Sequence, residues 1–74
     1  MKQIYSIVYR GVEINFLKDK EYIGYNFKVK EQTFGYKVEL KTRKQVDVFG
    51  IITTLTINAV ESIDSKLNEQ NTNN

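Results

Sequence analysis

The side chains able to do chemistry in this chain are few in kind. Histidine and cysteine are both absent. Imidazole acid–base catalysis, nucleophilic triads and thiol or disulfide chemistry are therefore excluded. A zinc shell would have to be built from carboxylates alone, which zinc rarely accepts. Glu13 and Glu39 are the one candidate carboxylate pair on the alternating segments, but lysines surround them and no cleft is implied. The four glycines, Gly11, Gly24, Gly35 and Gly50, occur singly, and none belongs to a phosphate-cradling loop. The expectation is a chain with no catalytic, metal or cofactor site, and not an enzyme. The cations Arg10, Lys28, Lys30, Lys37 and Lys41 are candidates for a different chemistry. Strands that present Lys, Asn and Gly can enter a DNA major groove and contact phosphates. The same face is expected to lack aromatics, so it would not stack single-stranded bases. With 11 basic against 9 acidic side chains, the net charge of +2 gives no whole-molecule argument for nucleic acid.

Alternation supplies the elements that must position these groups. Tyr5, Ile7 and Tyr9 precede Arg10-Gly11, and Val12, Ile14 and Phe16 follow it. A two-residue turn there pairs Tyr9 with Val12, Ile7 with Ile14 and Tyr5 with Phe16, all on one face. Lys18-Asp19-Lys20-Glu21 is a charged connector. A second hairpin follows. Ile23, Tyr25, Phe27 and Val29 alternate with polar residues, as do Phe34, Tyr36, Val38 and Leu40. A four-residue loop over Lys30 to Thr33 pairs Val29 with Phe34, Phe27 with Tyr36, Tyr25 with Val38 and Ile23 with Leu40. Two hairpins that each sort their side chains predict a four-stranded antiparallel sheet with one dry face and one open face.

The remaining segment must cover the dry face. Its β-branched residues disfavour a helix slightly, but Phe49, Ile52, Thr56, Val60, Ile63 and Leu67 recur at helical steps. The spacing predicts a helix from about Arg43 to Leu67, with Thr42-Arg43-Lys44-Gln45 as a capping box. The predicted fold is α+β: two β-hairpins packed on one long C-terminal helix, ββββα. It forms a single domain over residues 1–68, with a disordered polar tail over 69–74. Val48, Ile51 and Leu55 widen the apolar arc of the helix by about a third of its circumference. A sheet covers one side of a helix only, so these three are the expected protein interface. A domain this small, with no disulfide, gains from a second buried surface. A homodimer through the helix, another protein at the same place, or both, are the expected partners.

The hairpin–hairpin–helix layout over Tyr5 to Leu67 resembles that of small early-region proteins of phages and prophages from low-GC Gram-positive bacteria. The resemblance rests on layout and composition. It implies a non-enzymatic protein that binds and modulates, or inhibits, a host or defence component. A second likeness is to integrase arm-binding and AP2-type domains, which read DNA with a three-stranded sheet backed by a helix. This chain has one strand more and lacks their dense basic and aromatic strands. No apolar run approaches the ~20 residues that span a bilayer, and the first residues lack a signal-peptide pattern. A cytoplasmic protein with no membrane, small-molecule or cofactor partner is the expectation. Nucleic acid is the alternative partner.

Overall fold

The computed structural model describes residues 1–40 and 47–71. Its elements are β1 (Lys2–Tyr9), β2 (Val12–Lys18), β3 (Tyr22–Val29), β4 (Gln32–Glu39) and α1 (Val48–Asn71). The strands form one antiparallel sheet in chain order, β1-β2-β3-β4, so the fold is the expected α+β arrangement of two hairpins and a helix. No helix among the described residues is long and apolar enough to cross a membrane.

The first hairpin has the expected register, with Tyr9 opposite Val12, Ile7 opposite Ile14 and Tyr5 opposite Phe16. Its turn holds Arg10 at φ 52° and Gly11 at φ 80°. Two successive left-handed residues make the tight turn whose twist matches that of the strands it joins. Towards its start β1 carries a bulge between Gln3 and Tyr5.

The second hairpin corrects the expected register. Its turn is two residues long: Lys30 and Glu31 sit at φ 47° and 72°, and Val29 pairs with Gln32. Phe27 therefore faces Phe34, Tyr25 faces Tyr36 and Ile23 faces Val38. The tighter turn extends the ladder to Val29 and Gln32, at the cost of placing two non-glycine residues in a left-handed conformation. The slip is by two residues, so every apolar side chain stays on the dry face. The connector between β2 and β3 is closed by Asp19, whose Oδ1 accepts the backbone N–H groups of Glu21 at 2.8 Å and Tyr22 at 2.7 Å.

This register lines up side chains across all four strands. Tyr5, Phe16, Tyr25 and Tyr36 form one row, with successive ring centroids 5.9, 6.4 and 6.3 Å apart. Ile7, Ile14, Phe27 and Phe34 form the next. Aromatic cross-strand pairs add to the stability gained by burial alone. The helix packs across β3 and β2, the two central strands. The rows are therefore buried in the middle and open at their ends: Phe16 and Tyr25 belong to the core, while Tyr5 and Tyr36, on the edge strands, are exposed.

Leu55, Ala59 and Ile63 bring the helix onto the sheet, where they join Ile14, Phe16, Ile23, Tyr25, Phe27 and their neighbours. The helix begins at Val48, with Asp47 as its cap: the Asp47 carboxylate accepts the Gly50 N–H at 3.0 Å and its carbonyl accepts the Ile51 N–H at 3.0 Å. This is N-cap geometry. A Cβ at position 50 would lie 2.5 Å from the Asp47 carboxylate. Gly50 therefore makes room for the cap rather than breaking the helix. The predicted capping box, Thr42 to Gln45, lies outside the described residues. The helix continues past Leu67 to Asn71.

Candidate functional site

The rotation of α1 decides which of its side chains are free. An α-helix turns 100° per residue, so Asn58 and Asp64 flank the buried stripe on opposite sides, one step before Ala59 and one after Ile63. Each is tied to the sheet. The Tyr25 hydroxyl donates to Asn58 Oδ1. The Tyr9 hydroxyl donates to Asp64 Oδ1 at 2.9 Å, and Arg10 Nη1 lies 2.8 Å from the same oxygen. Arg10 and, second, Tyr9 stabilise the ionised Asp64 and hold its carboxyl below the ordinary range. The same hydrogen bond to Asp64 raises the Tyr9 hydroxyl above its usual value. Burial pushes the Tyr25 hydroxyl up as well.

With the helix pinned on both flanks, the expected interface needs correction. Leu55 is only 2% exposed and belongs to the core. Val48 and Ile51 are half-buried and pack against that core. The three lie on the sheet side because the small Ala59, not the larger Val60, sits at the point of contact and lets the helix approach the aromatic rows. The apolar side chains left outside are Phe49, 84% exposed, and Ile57, 57% exposed. Phe49 was expected on the sheet-facing stripe; it lies outside because the whole pattern is turned by about one residue step in this half of the helix.

Phe49, Thr53 and Ile57 succeed one another at four-residue steps, which places them along one ridge of the helix. Threonine in this ridge is less polar than its formula suggests. The hydroxyl of Thr53 donates to the Phe49 carbonyl at 2.9 Å, and that of Thr54 to the Gly50 carbonyl at 3.2 Å. Thr56 does the same to the Ile52 carbonyl at 2.7 Å. These hydroxyls are satisfied within the helix. No charged residue occurs among the 13 residues from Val48 to Val60. The result is an uncharged, largely apolar half-helix. On its β4 side, Ile51, Thr54 and Asn58 form one wall of a shallow cleft whose other wall is Tyr36 and Val38 of β4.

Among the described residues, the candidate phosphate contacts do not all share one face. Arg10 is turned to the helix side and paired with Asp64. Lys30 lies in the turn at the tip of the second hairpin. Lys28 and Lys37 are exposed on strands β3 and β4, and Lys41 lies outside the described residues. Lys37 Nζ sits 4.3 Å from the centre of the Tyr22 ring, a cation–π contact on the open face. That face was expected to lack aromatics, and Tyr22 is the correction. Glu13 pairs with Val8 on β1 and Glu39 with Tyr22 on β3, so the two carboxylates sit on different strand pairs. Among the described residues, no group of three or more acidic side chains forms a metal-binding cluster.

The open face has a different distinguishing feature. Gly24 and Gly35 leave a depression floored by backbone and bordered by Met1, Leu17, Asn26 and Lys37. A Cβ at Gly24 would come within 2.2 Å of the Tyr36 carbonyl oxygen, so the glycine is required by the close approach of β4. Comparison with protein-family models, curated proteins and solved structures finds no match for this chain.

Proposed function

We propose that this chain is a non-enzymatic protein-interaction module whose contact surface is the outer ridge of α1, formed by Phe49, Thr53 and Ile57. The observation that carries this reading is the exposure of Phe49, 84%, within an uncharged half-helix. A large aromatic side chain left in water is a favoured anchor at protein interfaces. Anchors at i, i+4 and i+8 on one helix suit a partner that offers an apolar groove. The likeness to phage early-region proteins makes a host or defence component the class of partner.

The test compares capture by the wild-type chain with capture by Phe49→Ser and Ile57→Ser. Both positions lie outside the core, so the variants keep their circular dichroism and melting temperature. A partner retained by the wild type and lost by both variants supports the reading. A partner held equally by all three, or lost instead in Lys28→Ala and Lys37→Ala, overturns it.

A further inference from the structure

We propose that a second copy of this chain pairs with the outer edge of β1, in antiparallel register about a twofold axis at Ile7, giving one continuous eight-stranded sheet. This surface is separate from the helix ridge, and the inference stands or falls independently of the function proposed above.

β1 is an edge strand with no neighbour on its outer side. Edge strands of monomers are commonly guarded by charge, by bulges or by a covering element. The half of β1 from Tyr5 to Tyr9 has none of these. It is regular, because the bulge lies before Tyr5, and it is uncharged. The helix packs over β3 and β2 and meets β1 only on one face, at the Tyr9–Asp64 hydrogen bond, so it does not cover the outer backbone edge of β1. Apolar side chains are exposed on both faces of this half: Tyr5 on the helix side, 53% exposed, and Val8 on the open side, 70% exposed. The opposite edge, β4, is also uncharged from Gln32 to Tyr36, but there it presents only Thr33 and Gly35 on the open side, and Lys37 and Glu39 follow directly.

The occupant follows from charge and register. It must be an extended, uncharged segment with apolar side chains on both faces, and β1 itself is such a segment. The bulge restricts regular pairing to Tyr5–Tyr9, whose midpoint is Ile7. A twofold axis there sets Ile7 against its own copy and Tyr5 against Tyr9 on the helix side, with Ser6 against Val8 on the open side. Face parity is preserved throughout, as antiparallel pairing requires. The aromatic row that ends at Tyr5 would continue onto the second copy. Arg10, the nearest cation, is already paired with Asp64 at 2.8 Å, so no unpaired charge faces the junction from that end. A twofold contact is isologous and closes on itself, so it leaves β1 with no free edge.

Sedimentation equilibrium of the full chain across the micromolar range is the first test, and a dimeric mass is expected. Val8→Lys places two charges in the new ladder and is expected to give a folded monomer. The chain has no cysteine, so Ile7→Cys introduces a single thiol that meets its copy on the axis. Cα atoms of directly opposed residues lie about 4.5–5.5 Å apart, within disulfide reach. Mild oxidation of dilute Ile7→Cys is expected to give a cross-linked dimer, and Ile57→Cys is expected to stay monomeric. A monomeric wild type across the range overturns the proposal, as does a dimer that survives Val8→Lys. Preferential cross-linking of Ile57→Cys would place self-association on the helix and also overturn it. Should Val8→Lys fail to fold, the two cysteine variants still decide.

Discussion

Tyr9 and Asp64, 55 residues apart in sequence, are joined by a hydrogen bond of 2.9 Å that fastens the second half of the helix to the tip of the first hairpin. Arg10 completes the latch on the same carboxylate. The lowered pKa of Asp64 fixes the sign of its effect. Stability from this group is fully present above the unfolded carboxyl value of about 4 and is lost as pH falls through the lower folded value. Asp19, lowered by the backbone N–H groups of Glu21 and Tyr22, acts in the same direction. Tyr9 is raised, so its contribution is complete below the unfolded value of 10.0 and is lost as pH rises through the folded one. Thermal melts should therefore be flat near neutrality and fall at both extremes. Asp64→Asn keeps an acceptor for Tyr9 and removes the charge. It should flatten part of the acid limb while Tyr9, still hydrogen-bonded, stays raised. Asp64→Ala, which removes the acceptor as well, should lower the Tyr9 titration, followed by its own ring resonances in NMR.

Gly24 tests the close approach of β3 and β4. A methyl group there would lie 2.2 Å from the Tyr36 carbonyl oxygen and 2.8 Å from the Lys37 Cα, both backbone atoms that cannot swing aside. Gly24→Ala should cost about 2–3 kcal/mol, the upper part of the range for overpacking. Gly35→Ala, whose added carbon would stand 3.1 Å from the Tyr25 carbonyl oxygen, should cost less. Urea midpoints of the two variants give the comparison. Equal midpoints would mean that the strands are not held as closely at Gly24 as the structure places them.

The turn at Lys30-Glu31 tests the register of the second hairpin. Glu31 is held at φ 72°, a conformation costing a non-glycine residue about 1–2 kcal/mol. Glu31→Gly should therefore raise stability by about 1 kcal/mol, less than the full strain because glycine also loosens the unfolded chain. Gly11→Ala, at φ 80°, should lower it. In a four-residue loop spanning Lys30 to Thr33, Glu31→Gly would bring no such gain. The melting temperature of the single variant distinguishes the two registers.

These positions also show where sequence reasoning succeeded and where it stopped. The first hairpin was legible because Gly11 marks a position that needs positive φ, and alternation then fixes every pair. The second was legible in its faces but not in its register. Lys30 and Glu31 carry no turn signature, and a slip of two leaves the apolar pattern unchanged. The helix was legible as a helix, but its rotation was not. The row Val48, Ile51, Leu55, Ala59 and the row Phe49, Ile52, Thr56, Val60 are both apolar and differ by one step of 100°. Three-dimensional facts choose between them: the small Ala59 at the contact, and the reach of Tyr25 to Asn58 and Tyr9 to Asp64. The candidate interface was displaced for the same reason. Of the residues expected to be spare, Leu55 lies in the core and Val48 and Ile51 are half-buried against it, while Phe49 is the exposed one.

Leu55 and Ile57 make the rotation of the helix measurable. Leu55 is 2% exposed and Ile57 57%. Leu55→Ala removes buried carbon beneath the helix and should cost about 2–5 kcal/mol. A single core of this size supplies a margin of only about 3–5 kcal/mol, so much of the variant should be unfolded at room temperature. Ile57→Ser should change stability by less than about 0.5 kcal/mol, as surface substitutions do. A helix turned by one residue would exchange these effects, with Thr56 and Val60 on the sheet and Leu55 in solvent. Circular dichroism melts of the two variants at low concentration, where self-association does not contribute, decide between the orientations. A destabilised Ile57→Ser beside an unaffected Leu55→Ala would move the interaction ridge back to Val48, Ile51 and Leu55.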